Sequence, residues 1–232
     1  MKVVILPDAD SVARRAAGFV AGEVRAGVEE RGRFSLAVSG GTTPGKMLRA
    51  LADEDVPWQG VHLFQVDERV APAGDPDRNL IHLSESLLEL VPLPEAQLHP
   101  MPVEEVDLEA ATLRFARTLE EVAGDPVVLD LVHLGLGPDG HTASLVPGDS
   151  VLDVDDADVA VTETAYQGRR RMTVTFPLLD RARRILWLVT GVSKSDMLVR
   201  LREGDAAIPA GRVRQDRALV LADRAAAGPS DG

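Results

Sequence analysis

The chain has 232 residues, 45% of them hydrophobic, which is enough for one domain with a sizeable core and argues against a disordered chain. It has no cysteine, which excludes disulfides, thiolate metal sites and a cysteine nucleophile and suits a reducing compartment, so a cytoplasmic location is expected. A formal net charge of −12 repels phosphate backbones and anionic lipid, so neither nucleic acid nor membrane is an expected partner, and an anionic ligand would need its own concentrated pocket of cations.

The apolar run Val3 to Leu6 is too short for a signal-peptide core, and no stretch approaches the ~18 apolar residues of a membrane span; Val3 to Leu6 is read instead as a first strand. Asp8 or Asp10 can cap a following helix whose Val12, Ala16, Phe19, Val20 and Val24 share one face. Phe34 to Val38 is a second strand. Pro44 suits the first turn of the next helix, which Met47, Leu48 and Leu51 continue.

Val61 to Val66 is a third strand, and residues 79 to 90 and 107 to 123 carry helical periodicity. Between them lies a proline-rich segment (Pro92, Pro94, Pro100, Pro102) expected to be irregular. Val127 to Leu134, Val159 to Thr162, Met172 to Phe176, Ile185 to Thr190 and Ala218 to Leu221 read as strands, with a helix from about Ser193 to Arg202. The acidic stretch Asp153 to Asp158 reads as a solvated loop. Short β-branched runs alternating with amphipathic ones predict an α/β fold, a single catalytic domain over 1–232 with a mainly parallel, Rossmann-like sheet covered by helices on both faces and a frayed tail at 228–232.

Ligands of open α/β sheets sit at the carboxyl ends of the strands, so the loops after residues 38, 66, 134 and 190 are read together. Ser39-Gly40-Gly41-Thr42-Thr43-Pro44 offers backbone N–H groups, hydroxyls and a helix N-terminus to an anion. Gly40, Gly45 and Lys46 fit a nucleotide-binding P-loop, but Met47 stands where a magnesium-holding hydroxyl is required. Asp67-Glu68-Arg69 places two carboxylates and an arginine at a strand end; Arg69 would bind an anion and Asp67 orient a partner or a substrate hydroxyl, while the bland alternative is a solvated cluster.

Gly135, Gly137 and Gly140 spell G-x-G-x-x-G, yet Pro138 lies inside it and Pro147 and Gly148 follow too soon for a long crossover helix, so a dinucleotide site is rejected. What the loop offers is His141 beside Asp139: an imidazole able to take a proton from water and a carboxylate able to fix its tautomer. His62, His82, His99 and His133 lack such a setting and read as core or surface residues. Gly191-Val192-Ser193-Lys194 adds a lysine at a helix start. No G-x-S-x-G elbow, H-E-x-x-H helix or spaced metal-ligand cluster occurs, which disfavours serine and zinc hydrolases. Arg169, Arg170, Arg171, Arg181, Arg183 and Arg184 form a basic run, but with 3% aromatic residues it does not read as a nucleic-acid patch.

Taken as a set, these loops, with Arg171-Met172-Thr173-Val174-Thr175-Phe176-Pro177 and Ile208-Pro209-Ala210, resemble the 6-phosphogluconolactonases, which share a fold and family with the glucosamine-6-phosphate isomerases. The resemblance spans nearly the whole chain. It implies hydrolysis of 6-phospho-D-glucono-1,5-lactone to 6-phosphogluconate in the oxidative pentose phosphate pathway, without metal or organic cofactor. It implies His141 as general base, Asp67 or Asp139 orienting the imidazole or substrate hydroxyls, and a 6-phosphate held among Ser39, Gly40, Gly41, Thr42, Thr43, Arg69 and Lys194, with Gly140 lining the site and Arg171 as a further cation. The expected partner is this small sugar-phosphate lactone, and the chain is expected to be a monomer or small homo-oligomer. The rival within the family, an aminosugar-phosphate isomerase, carries an acidic residue in an N-E-P sequence five positions after this histidine, where Val146 stands here. A noncatalytic sugar-phosphate-binding regulator would have no need of Asp67 and His141, and no attached DNA-binding segment is present.

Overall fold

The computed structural model describes residues 1–228, so the expected frayed tail lies, from residue 229 on, outside the described residues. The first strand, β1 (Lys2–Leu6), leads into α1 (Ala9–Arg31), and of the two candidate caps it is Asp8 that closes the helix, accepting from the Ser11 N–H at 2.7 Å. Asp10 instead lies in the first turn and pairs with Lys46. Then come β2 (Phe34–Val38), α2 (Thr42–Ala52) and β3 (Val61–Gln65). The segment Asp67–Arg69, expected as loop, is a three-residue strand, β4.

The helical run expected over 79 to 90 is α3 (Asn79–Leu83) continued by a wide π-type turn over Ser84–Leu88. Within the proline-rich segment, β5 (Leu98–His99) adds a short edge strand beside β3. After α4 (Leu108–Ala123), β6 is confined to Leu131–Gly135, shorter than the apolar run from Val127. Val127 and Leu129 are buried, and single backbone bonds join Asp130 to Ser35 and Arg183 to Leu129, while the Asp130 carboxylate accepts from the Ser35 N–H and hydroxyl; the regular strand starts only at Leu131. β7 (Val159–Val161) and β8 (Arg171–Val174) follow. The strand expected through Phe176 stops early because Pro177 opens α5 (Phe176–Arg181). β9 (Ile185–Val189), α6 (Ser195–Glu203) and β10 (Ala218–Asp223) complete the main elements.

Seven strands form a wholly parallel sheet in the order β1-β10-β9-β6-β2-β3-β5, and β4-β8-β7 form a small antiparallel sheet that the sequence did not announce. The parallel strands are buried on both faces, and their residues divide with period two. Phe34, Leu36 and Val38, with Leu186 and Leu188, pack against α1, α2 and the α3 region; Ala37, Ile185, Trp187 and Val189 pack against α4, α5 and α6. The expected α/β architecture with helices on both faces is therefore what forms. No helix among the described residues is long and apolar enough to cross a membrane.

Candidate active site

The loops after β2, β6 and β9 meet the small sheet and enclose a cavity of about 360 Å³ at the carboxyl ends of the parallel strands. Ser39, Gly40, Thr42, Thr43, Asp67, Arg69, His141, Arg171 and Lys194 all line it, so residues more than 150 positions apart in sequence are brought to one cleft. Three expected members do not, Asp139 among them, which meets the site through its bond to His141. Gly41 sits at the start of α2 outside this lining, and Gly140 is packed away from it. Gly140 has φ +83°, its carbonyl accepts from the Ala210 N–H at 2.9 Å, and a Cβ on it would lie 2.6 Å from that of Ile208. Its part is to fold the loop. Lys46, the lysine of the apparent P-loop, is spent on Asp10 at 2.7 Å.

His141 is held at its Nδ1, 2.6 Å from Asp139 Oδ1. With Nδ1–H donated to the carboxylate, Nε2 is left as the basic nitrogen. The close turn that seats the ring needs a glycine at 137, since a Cβ there would come within 2.0 Å of Nδ1. Burial works to raise the pKa of Asp139, but bonds from His141 and from the Tyr166 hydroxyl, 3.0 Å from Oδ2, outweigh it and hold the carboxyl below its ordinary range. Asp139 is thus the carboxylate that touches the imidazole. Asp67 is instead buried across the cleft, accepting from Ser144 Oγ at 2.6 Å and Asn79 Nδ2 at 3.3 Å, with Arg171 Nη1 3.8 Å away.

The cations differ in setting. Burial depresses the pKa of Lys194, with Asp139 acting in the opposite sense. Arg171, only 5% exposed, is likewise lowered by burial, while Asp67 pulls it upward. Arg69 donates through Nη1 to the Asp77 carbonyl. Arg69 Nε, Arg171 Nε and Asn79 Oδ1 are buried without a hydrogen-bond partner, and all three residues line the cavity. Buried polar atoms are rarely left so, and unspent guanidinium donors in a cleft suit an anion with several acceptor oxygens. The other arginines of the basic run go to separate partners: Arg169 to Asp75, Arg170 to the Thr162 carbonyl, Arg181 to Asp158, Arg183 to Asp130 and Arg184 to Glu23. Among the described residues no group of three or more His, Asp or Glu side chains is arranged to hold a metal ion.

Asn79, Tyr166 and Gln167 belong to no candidate loop of the sequence, and Thr190, which opens the fourth loop, had no role assigned to it. Thr190 bonds Thr43 across the cleft at 2.7 Å, and Gln167 Oε1 accepts from Arg171 Nη2 at 3.1 Å. Of these, only Tyr166 carried a signal, as the one tyrosine of the chain.

Fold and site together define an α/β enzyme of small anionic substrates, with an oriented histidine on the wall of a cation-lined cleft. The chain belongs to the Glucosamine-6-phosphate isomerases/6-phosphogluconolactonase family, whose sequence profile its residues 7–221 match. It is 37% identical over 201 residues to a 6-phosphogluconolactonase of Synechocystis sp., covering 85% of this chain and 83% of that one. It is 36% identical over 238 residues to a 6-phosphogluconolactonase of Mycobacterium tuberculosis, covering 97% and 96%. The crystal structure of 6-phosphogluconolactonase from Thermotoga maritima superposes with a TM-score of 0.86 at 26% identity, covering 96% of this chain and 98% of that one.

Proposed function

We propose that the chain hydrolyses 6-phospho-D-glucono-1,5-lactone to 6-phospho-D-gluconate, the second step of the oxidative pentose phosphate pathway, with His141 as general base. The observation that carries the mechanism is the His141–Asp139 bond on the wall of a cavity that Arg69, Arg171 and Lys194 also line. In this reading Nε2 takes a proton from water as the oxygen attacks the lactone carbonyl. The tetrahedral adduct then collapses with cleavage of the bond to the ring oxygen, which leaves with the proton held by the imidazolium. Asp139 stabilises the imidazolium between the two transfers. The phosphate binds among Arg69, Arg171 and Lys194 with the hydroxyls of Ser39, Thr42 and Thr43, and Asp67 faces the sugar hydroxyls.

The relatives' lactonase names support the reaction. The family's other activity is disfavoured by Val146, which is 3% exposed and offers no carboxylate for ring opening. Lactones also open unaided, so one oriented base and a positioned substrate are chemically sufficient. The reading includes a cytoplasmic location, which the absence of cysteine suits, and a monomer or small homo-oligomer free of nucleic acid and membrane. The test follows disappearance of freshly generated lactone with native protein, folded His141→Ala protein and no protein. Native acceleration that falls by about 100-fold or more in the variant is expected. Full turnover in the variant would remove His141 from the base role, and no native acceleration would end the lactonase reading.

A further inference from the structure

Tyr166 lies on the turn between β7 and β8, 25 residues beyond the histidine loop. Its hydroxyl donates to Asp139 Oδ2 at 3.0 Å and lies 3.3 Å from His141 Nδ1, and its ring meets the imidazole edge-on with centroids 5.1 Å apart. The guanidinium carbon of Arg171 stands 5.2 Å from the centre of the same ring. One phenol therefore touches the base, the carboxylate that orients it and a cation of the cleft.

We propose that Tyr166 is a positioning residue of the His141–Asp139 pair, its hydroxyl fixing the carboxylate plane so that one oxygen stays aligned with Nδ1. The inference rests on the lactonase reading for its kinetic consequences. Asp139 sits between Pro138 and Gly140 on a glycine-rich loop with its side chain 36% exposed, and both bonds from His141, from Nδ1 and from the backbone N–H, fall on Oδ1, so without Tyr166 the second oxygen would be unheld and the carboxylate could turn. A donor on the second oxygen removes that freedom, and it comes from a segment with its own anchorage. Tyr166 and Arg169 are bridged through their backbones, Gln167 between them takes φ +54°, and Arg169 is tied to Asp75 at 2.8 Å. The phenol also stays a donor across the working range, since burial first and Asp139 second raise its pKa. The charged groups around it are Asp139, His141 and Arg171, with Lys194 acting on Asp139 from the loop before α6.

Tyr166→Phe keeps the ring and removes the hydroxyl. Its kcat falls roughly tenfold while KM stays within about twofold, because the lost bond acts on the base and not on substrate. Tyr166→Ala also strips the ring from Arg171 and raises KM. A second readout uses the absence of any other tyrosine: tyrosinate absorbance against pH follows this one group. The phenol of folded Asp139→Ala protein ionises at lower pH than that of the native protein, as loss of the neighbouring carboxylate requires. Native lactone turnover with an unchanged kcat in Tyr166→Phe would overturn the proposal, as would a phenol that titrates alike with and without Asp139. Failure of the native protein to turn over lactone would instead fall on the proposed function, and the phenol titration would still decide the Tyr166–Asp139 bond.

Discussion

At Lys194 burial weakens the ammonium while Asp139 sustains it, which leaves a cation lining the cleft with no ion pair of its own among the described residues. Such a group binds substrate anion in ground state and transition state alike, so Lys194→Ala raises KM about tenfold and leaves kcat nearly unchanged. Initial rates over a range of lactone concentrations check it, and an unaltered KM would place the phosphate on Arg69 and Arg171. At this scale the sequence pointed to most of the residues that meet at the cleft but not to how they pair. Asp139 and His141 are two residues apart, so their contact could be read. Asp67 against Ser144 and Asn79 spans up to 77 positions and depends on how the two sheets meet, so which carboxylate held the imidazole stayed open.

Among the elements, the join between β4 and α3 shows how a local reading fails. Asp67-Glu68-Arg69 read as a solvated or anion-binding loop, yet Glu68 is fully buried. Its carboxylate accepts from the backbone N–H groups of Asn79 and Leu80 at 2.7 and 2.9 Å, the free donors at the start of a helix whose own cap gives none. It also accepts from Gln65 Nε2 and the Arg69 N–H, and Arg78 Nε lies 3.1 Å away. Glu68 thus caps α3 from another element, and α3 in turn presents Asn79 to Asp67. Glu68→Gln leaves Arg78 with Glu104 as its one acidic partner and turns an amide donor toward buried donors, which costs about 3 kcal/mol and lowers Tm by roughly 6–12 °C in a chain of this size. Calorimetry or a circular-dichroism melt reads it; a shift of a degree would mean that α3 is held by its apolar contacts alone. Elements whose signal was their own periodicity, α2, β2, β3 and β9, were legible to within a residue or two, and α1 was legible in its start and buried face, though the helix runs on to Arg31. Those created by pairing, β4 and β5, had no signal of their own.

For the molecule as a whole, the parallel sheet encloses a titratable group that no catalytic step uses. His133 on the central strand β6 is fully buried, accepts at Nδ1 from the Ser39 N–H at 3.3 Å, and has its pKa pushed by burial down to about 3. His99 at the sheet edge is lowered to about 4, burial first and His62 second. The unfolded chain binds a proton at each as pH falls through about 6.5, while the native protein refuses it until about 3 or 4, so stability is lost on the way down. For His133 alone the slope is about 1.4 kcal/mol per pH unit between those limits, or roughly 2 kcal/mol from pH 6.5 to 5. Carboxyls held below their ordinary range, Asp139 and Asp149, contribute stability above about pH 3.8 that is lost only below it, and Asp180, raised by burial, favours the native state as pH falls, so the loss between pH 6.5 and 4 is carried by the histidines. Urea unfolding at pH 7.5 and 5 should therefore show a loss that shrinks in His133→Asn protein, whose carboxamide oxygen can still accept from Ser39. An equal loss in both proteins would assign the acid sensitivity to the His62–His99 pair, bonded at 3.1 Å on the rim of the sheet, rather than to its centre.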